Sequence, residues 1–266
     1  MSDGHFYDAY YFVHNCGRPY QWDEEWLGFF GGIADRIVQD IQPKIVLDAG
    51  CAMGFLVEEF RKRGIEAWGV DISEYAIQNA HPDVHPFLWV GSVLFPFPQR
   101  YNLIVCIEVL EHLRGQLVRQ AVANLCQHTD DIIFSSTPLD YKETTHFNVK
   151  PPEVWAEMFA CNGFYRDVDF DASFITPWAV RFRKNKDQTP ALIRNYERKF
   201  WLLWNENQDL RTLSLEMEHR LASQDQKLSE NQTQFTNLQR EMEAIYSSKA
   251  WKWVQRWRHL RLKIGL

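Results

Sequence analysis

The stretch Val46-Leu47-Asp48-Ala49-Gly50-Cys51-Ala52-Met53-Gly54 constrains this chain more than any other. An apolar strand runs into a glycine loop, the loop runs into a helical pattern at Leu56 to Arg63, and Gly69-Val70-Asp71 closes a second apolar strand. A unit of this kind builds a parallel sheet whose ligands bind beyond the carboxyl ends of its strands. Glycine at 50 and 54 lets a ligand approach the backbone with no Cβ in the way, and Asp71 stands where ribose hydroxyls can donate to a carboxylate. A nicotinamide dinucleotide uses the same device, but its fingerprint asks for glycine at 50, 52 and 55, and this chain has Ala52 and Phe55. The dinucleotide reading fails there.

Between Lys44 and Arg183 short apolar runs alternate with helical periodicity, which predicts stacked βα units. Strands are expected at Ile45 to Leu47, Ala67 to Val70, Phe87 to Val90, Leu103 to Ile107, Ile132 to Ser135, Tyr165 to Phe170 and Ile175 to Arg183. Only Asp171 to Phe174 separate the last two, too few for a parallel crossover, so they are expected as an antiparallel hairpin. Helices are expected at Leu56 to Arg63, Glu74 to Asn79, Gln116 to Cys126 and Pro152 to Ala160. The fold class is therefore α/β, with a seven-stranded, mostly parallel sheet. Residues 1 to 40 are crowded with aromatics, among them Tyr7, Tyr11, Tyr20 and Trp26, and read as a lid over the sheet or as packing at its edge.

After residues 41 to 187, the expected sheet domain, the composition changes. From Tyr196 to Ile245 the positions Phe200, Leu203, Asn207, Leu210, Ser214, Met217, Leu221, Gln224, Leu228, Asn231, Phe235, Leu238 and Met242 follow at alternating steps of four and three. That heptad predicts a coiled coil over 188 to 246 and self-association through 196 to 245, with polar seam residues that can fix register and strand number. Residues 247 to 266 form a basic, Trp-rich tail, with Trp251, Trp253, Trp257 and Leu260 among Lys249, Lys252, Arg256, Arg258, Arg261 and Lys263. Such a segment can lie on an anionic membrane surface or meet a partner such as a glycosyltransferase.

The whole chain of 266 residues carries a formal charge of −6, which argues against DNA as a partner, because affinity for nucleic acid rests on Lys and Arg neutralising phosphates. Its five cysteines include no CxxC pair and suit neither a zinc cage nor a disulfide framework. A cytoplasmic setting is expected, with the tail allowing a peripheral place at the inner membrane surface. No leader or membrane span is expected from the sequence.

With DAGCAMG and GVDIS, the chain resembles the class I methyltransferases that use S-adenosylmethionine (SAM), over about residues 40 to 183. The resemblance implies a Rossmann-like domain with SAM as cofactor. It implies that Asp48, Gly50, Cys51 and Gly54 flank the methionine part, that Asp71 and Ile72 meet the ribose, that Ser92 and Val93 lie beside the adenine, and that Glu108 borders the cofactor. Many relatives carry aspartate where this chain has Ser92.

Two loops carry the candidate chemistry. Glu108, Glu111 and His112 stand at i, i+3 and i+4, so one helical turn is expected to gather them on one face, and His146 follows the next strand. Two carboxylates and two imidazoles can hold Mg²⁺ or Mn²⁺, which would lower the pKa of a sugar hydroxyl and orient it for attack on a methyl group. Without a metal, His146 would be the general base, with Asp140 or Tyr141 orienting it or the substrate. The ExxEH pattern with its later histidine is similar to the metal-dependent small-RNA 2′-O-methyltransferases and, in part, to the ubiquinone-biosynthesis O-methyltransferases. The aromatic start, THFNVKPPEVW and the SSKAWKW tail resemble methyltransferases that accompany bacterial glycosyltransferases, which implies a glycan or nucleotide-sugar hydroxyl as acceptor. An RNA or quinone-type acceptor, or a non-catalytic coiled-coil scaffold, are the competing readings.

Overall fold

The structure is a computed structural model that describes residues 3–185 and 189–264, with side chains through Arg258. Seven strands, β1 (Ile45–Ala49), β2 (Glu66–Asp71), β3 (Leu88–Val90), β4 (Leu103–Ile107), β5 (Asp131–Ser135), β6 (Phe164–Arg166) and β7 (Val180–Lys184), form one sheet in the order β3-β2-β1-β4-β5-β7-β6. The first five are parallel, and β7 runs antiparallel to both β5 and β6. The middle strands are continuous apolar runs, as burial on both faces requires: Val46, Leu47, Leu103, Ile104, Val105, Ile132 and Ile133 are fully buried. Strand order reverses between β1 and β4, which opens a crevice beyond their carboxyl ends. The Gly50 and Glu108 loops both start there.

Eight α-helices complete the described chain: α1 (Ala9–His14), α2 (Glu24–Asp40), α3 (Phe55–Lys62), α4 (Glu74–Gln78), α5 (Leu117–His128), α6 (Pro152–Ala160), α7 (Thr189–Ser247) and α8 (Lys249–Ile264). Helix α3 starts where Gly54 sits at φ 77°, and Ser73 caps α4 by accepting from the Ala76 N–H at 3.0 Å. Pro152 opens α6 in its first turn, where a missing N–H costs nothing.

Two expectations change. Residues 167–179 are not strand but a succession of turns, so the hairpin strands are short. Asp167 and Asp171 accept from the backbone N–H two residues on, and Pro177 has no N–H to give a ladder. The expected N-terminal lid also divides. Helix α2, capped by Asp23, buries Ile33, Ala34 and Ile37 in the core beside Val46, Leu56 and Phe60, and so belongs to the scaffold. Residues before it lie against the crevice, and its own Trp26, Leu27 and Phe30 pack with Ala52 and Met53 of the β1 loop.

The chain separates into two compact units, residues 1–196 and 197–266. Helix α7 spans 59 residues, about 88 Å at 1.5 Å per residue. Ser248 links it to α8 by accepting from the Trp251 N–H at 3.2 Å. In α8, Trp253 and Trp257 pack with ring centroids 5.9 Å apart, whereas the side chains of Leu260, Arg261 and Lys263 lie outside the described residues. Among the described residues no helix is long and apolar enough to cross a membrane.

Candidate functional site

The β1 loop is wound tightly enough to need its glycines. Gly50 has φ 93°, and a Cβ there would stand 2.2 Å from Val109 Cγ2, so this glycine lets the β1 and β4 loops touch. The Gly50 and Cys51 N–H groups both donate to the Val70 carbonyl, at 2.8 and 3.0 Å. Asp71, at the end of β2, accepts from Ala52 N (2.8 Å) and Ser73 N (2.8 Å), one bond to each carboxylate oxygen. Those bonds fix its orientation while leaving further lone pairs for a ligand.

Asp48 is 6% exposed, and burial, with the nearby Asp71 carboxylate, pushes its pKa up to about 8. Asp71 is also raised, chiefly by burial and against the pull of its backbone donors. Two buried carboxylates, both raised, make this edge of the sheet favourable to a cationic ligand. Beyond β3, Ser92 Oγ accepts from Leu94 N (3.2 Å), and Asn124 holds the Val93 and Phe95 carbonyls at 2.9 and 2.7 Å. A Cβ on Gly4 would come within 2.5 Å of the Ile72 carbonyl, and Ser73 Oγ donates to the Tyr7 carbonyl at 2.6 Å, so the N-terminal segment lies against the Asp71 end of the crevice.

Glu108 does not join Glu111 and His112 on one helical face. The reason is its backbone: φ 51° puts Glu108 in the left-handed region, and only Leu110–His112 form a single 3₁₀ turn. Its carboxylate accepts instead from Ser135 Oγ (2.7 Å), Thr137 N (2.9 Å) and Trp178 Nε1 (2.8 Å), tying the ends of β4 and β5 to the approach to β7.

Glu111, His112 and His146 do converge, with one ligand-type atom from each within 4.8 Å of the others. Glu111 is fully buried, neither of its oxygens makes a hydrogen bond of ordinary geometry, and burial together with the adjacent Glu108 carboxylate raises its pKa. A buried carboxylate so placed is costly and calls for a proton or a cation. His112 Nδ1 faces the Thr145 carbonyl (3.1 Å) and Thr145 Oγ1 (3.0 Å), whose own proton goes to Glu143. His146 Nδ1 faces the Asp140 carbonyl at 3.0 Å. Carbonyls only accept, so both Nδ1 atoms carry a proton and Nε2 is the ligand atom that each ring can offer. Burial, then the neighbouring His146, lowers the His112 pKa to about 4, which keeps it neutral. One carboxylate and two Nε2-presenting imidazoles, oriented from behind by carbonyls, make a donor set that fits a divalent cation, with the imidazoles favouring Mn²⁺ over Mg²⁺.

Asp140 thus orients His146 through its main chain, while Tyr141 is 71% exposed. Asn15 and Trp178 contribute to the site without a signal in the sequence. Asn15 Nδ2 donates to Glu143 Oε1 (3.1 Å), linking the N-terminal segment to the Thr145–His112 bond. Tyr7 and Tyr11, two of the aromatics read as a lid or as edge packing, set their rings edge-on to His112 at 5.5 and 6.2 Å. Trp178, which steadies Glu108, had no signal at all.

The family profile described as Methyltransferase domain matches residues 27–215. The chain belongs to this methyltransferase family. Its curated relatives include the ubiquinone biosynthesis O-methyltransferase of Nitrosomonas europaea, 28% identical over 111 residues (38% of this chain, 47% of that protein). The counterpart from Photorhabdus laumondii is 30% identical over 102 residues (35% and 42%). The match thus spans about half the length of either relative. Among solved structures, magnesium protoporphyrin IX methyltransferase from Synechocystis PCC 6803, crystallised with SAM, superposes with a TM-score of 0.54 at 17% identity. That superposition covers 70% of this chain and 98% of that one, so the methyltransferase fold is shared almost in full.

Proposed function

We propose that the chain is a SAM-dependent O-methyltransferase that methylates a hydroxyl held beside Glu111, His112 and His146. The observation that carries this is the convergence of those three side chains around the fully buried Glu111 carboxylate. The methyl donor would lie along the β1 and β2 ends. Asp71 accepts from the ribose hydroxyls, Asp48 and the Gly50–Gly54 loop face the positively charged methionine part, and Ile72, Ser92 and Val93 border the nucleoside. Family membership, the glycine loop and the paired acids support SAM here.

Glu111 and the Nε2 atoms of His112 and His146 would hold a divalent cation, which supplies a lowered pKa for a coordinated hydroxyl and so a competent nucleophile at neutral pH. An alcohol needs that help, because its unassisted pKa lies far above 7. Without a cation, His146 would instead take the hydroxyl proton on Nε2, with the Asp140 carbonyl fixing its ring through Nδ1–H. Tyr7 and Tyr11 cover this corner and keep water from the transferring methyl.

The acceptor we favour is a sugar hydroxyl of a bacterial surface glycan, on the resemblance of the ends of the chain to glycan methyltransferases. The ubiquinone-biosynthesis relatives favour a second reading, a phenolic hydroxyl of a quinone precursor. Helix α8, with its tryptophans among lysines and arginines, supports work beside an anionic membrane surface, where lipid-linked glycans and quinones are both found. Transfer of labelled methyl from SAM to a nucleotide-sugar and to a catechol, with and without a chelator, tests the proposal. Transfer to either, lost on chelation, is expected. Chelator-resistant transfer overturns the metal, and methylation of nitrogen or sulfur alone overturns the hydroxyl.

A further inference from the structure

Helix α7 leaves an apolar seam without a partner: every apolar seam residue from Phe200 to Ile245 is more than half exposed. The seam keeps strict steps of four and three throughout this range. On a straight helix of 3.6 residues per turn such a repeat drifts by about 20° per heptad, or about 130° over this length. It stays on one face only when the helix supercoils around another helix with the same repeat.

We infer that α7 pairs with α7 of a second copy as a parallel, in-register, two-stranded coiled coil. The polar seam residues select that occupant. Asn207, Ser214, Gln224 and Asn231 each interrupt the apolar row, and a partner with an unbroken apolar seam would bury their polar groups unsatisfied. In register, each meets its own counterpart and finds a hydrogen-bonding partner.

Charge selects the direction. In a parallel pair the residue before each seam position a (position g) faces position e of the second copy five residues on. Glu206 then faces Arg211 of the second copy and Arg220 faces Asp225, both opposite in charge, and no g–e pair along α7 joins like charges. An antiparallel pair can also match the polar seam residues, Asn207 with Asn231 and Ser214 with Gln224. That register sets Arg220 against itself and Glu218 against itself, which is repulsive, alongside attractive Arg211–Asp225 pairs, so only the parallel register is free of like-charge contacts.

Sedimentation equilibrium of the full chain at micromolar concentration tests the pairing. A dimer is expected, weakened about tenfold or more by Arg220→Glu and restored when Asp225→Arg is added. Direction is tested with the exposed Cys161 replaced by serine. Ser214→Cys chains should then cross-link to one another on oxidation, whereas Ser214→Cys chains should not link to Gln224→Cys chains. A wild-type monomer, a trimer or larger assembly, or preferential linking of position 214 to 224 overturns the inference. So does failure of Asp225→Arg to restore the Arg220→Glu dimer while both variants remain helical by circular dichroism.

Discussion

The rings of His112 and His146 stand 4.7 Å apart at 66°, and one loop anchors both: Thr145 binds the first through its carbonyl and hydroxyl, Asp140 the second through its carbonyl. Neither imidazole can turn its Nε2 away without breaking a bond from Nδ1, so the pair is preorganised toward Glu111.

That arrangement separates chemistry from cofactor binding. His146→Ala should lower kcat/KM by about a hundredfold or more, the usual worth of a proton-transferring or ligating group, while calorimetric affinity for SAM stays within a few-fold of wild type. An equal loss in both would place His146 in the cofactor site instead.

Glu111→Gln keeps the shape but removes the charge that a cation would neutralise. Mn²⁺ binding, read by electron paramagnetic resonance, should fall at least tenfold. The thermal stability of the metal-free protein should hold or rise, because a buried carboxylate without ordinary hydrogen bonds is removed. Lower stability with unchanged Mn²⁺ binding would make Glu111 a structural residue.

Asp48 gives a pH signature. Its ordinary pKa of 3.8 applies to the unfolded chain, and burial raises it to about 8 in the fold. Between those values the folded state binds more protons than the unfolded, so this group's penalty on stability is absent below about pH 4 and grows until about pH 8. Asp48→Asn should therefore raise the melting temperature of the SAM-free protein at pH 8 and leave it unchanged near pH 4. The same variant should weaken SAM on the order of tenfold or more, since a charge-assisted contact is lost.

Gly50→Ala combines two penalties, a side chain at φ 93° and a Cβ 2.2 Å from Val109 Cγ2. Together they should cost about 2 to 4 kcal/mol in denaturant unfolding. Adding Val109→Ala should recover part of the loss, because it relieves the contact but not the backbone strain.

Strands and helices held by local periodicity were legible. The sequence pattern places β4 at Leu103–Ile107 and α6 at Pro152–Ala160, the bounds the structure has. The hairpin was read too long because Tyr165, Val168 and Phe170 carry strand-forming side chains, while the Asp-led turns and Pro177 that break it are local hydrogen-bond effects. Helix α2 was hidden by aromatic density, although Ile33, Ala34 and Ile37 carry a helical spacing. In the site, Glu108 was misplaced because a non-glycine residue at φ 51° leaves no trace in sequence. The Asn15–Glu143 bond joins segments 128 residues apart, which no local pattern reaches.

The central claim is that Glu111, His112 and His146 serve methyl transfer from SAM to a hydroxyl. Mass spectrometry of surface glycans and quinone precursors, from cells producing the wild-type chain and cells producing His146→Ala, tests it most directly. The account predicts an oxygen-linked methyl group present with the wild type and absent with the variant. A methylation pattern identical in the two, with both proteins folded and binding SAM, would contradict it.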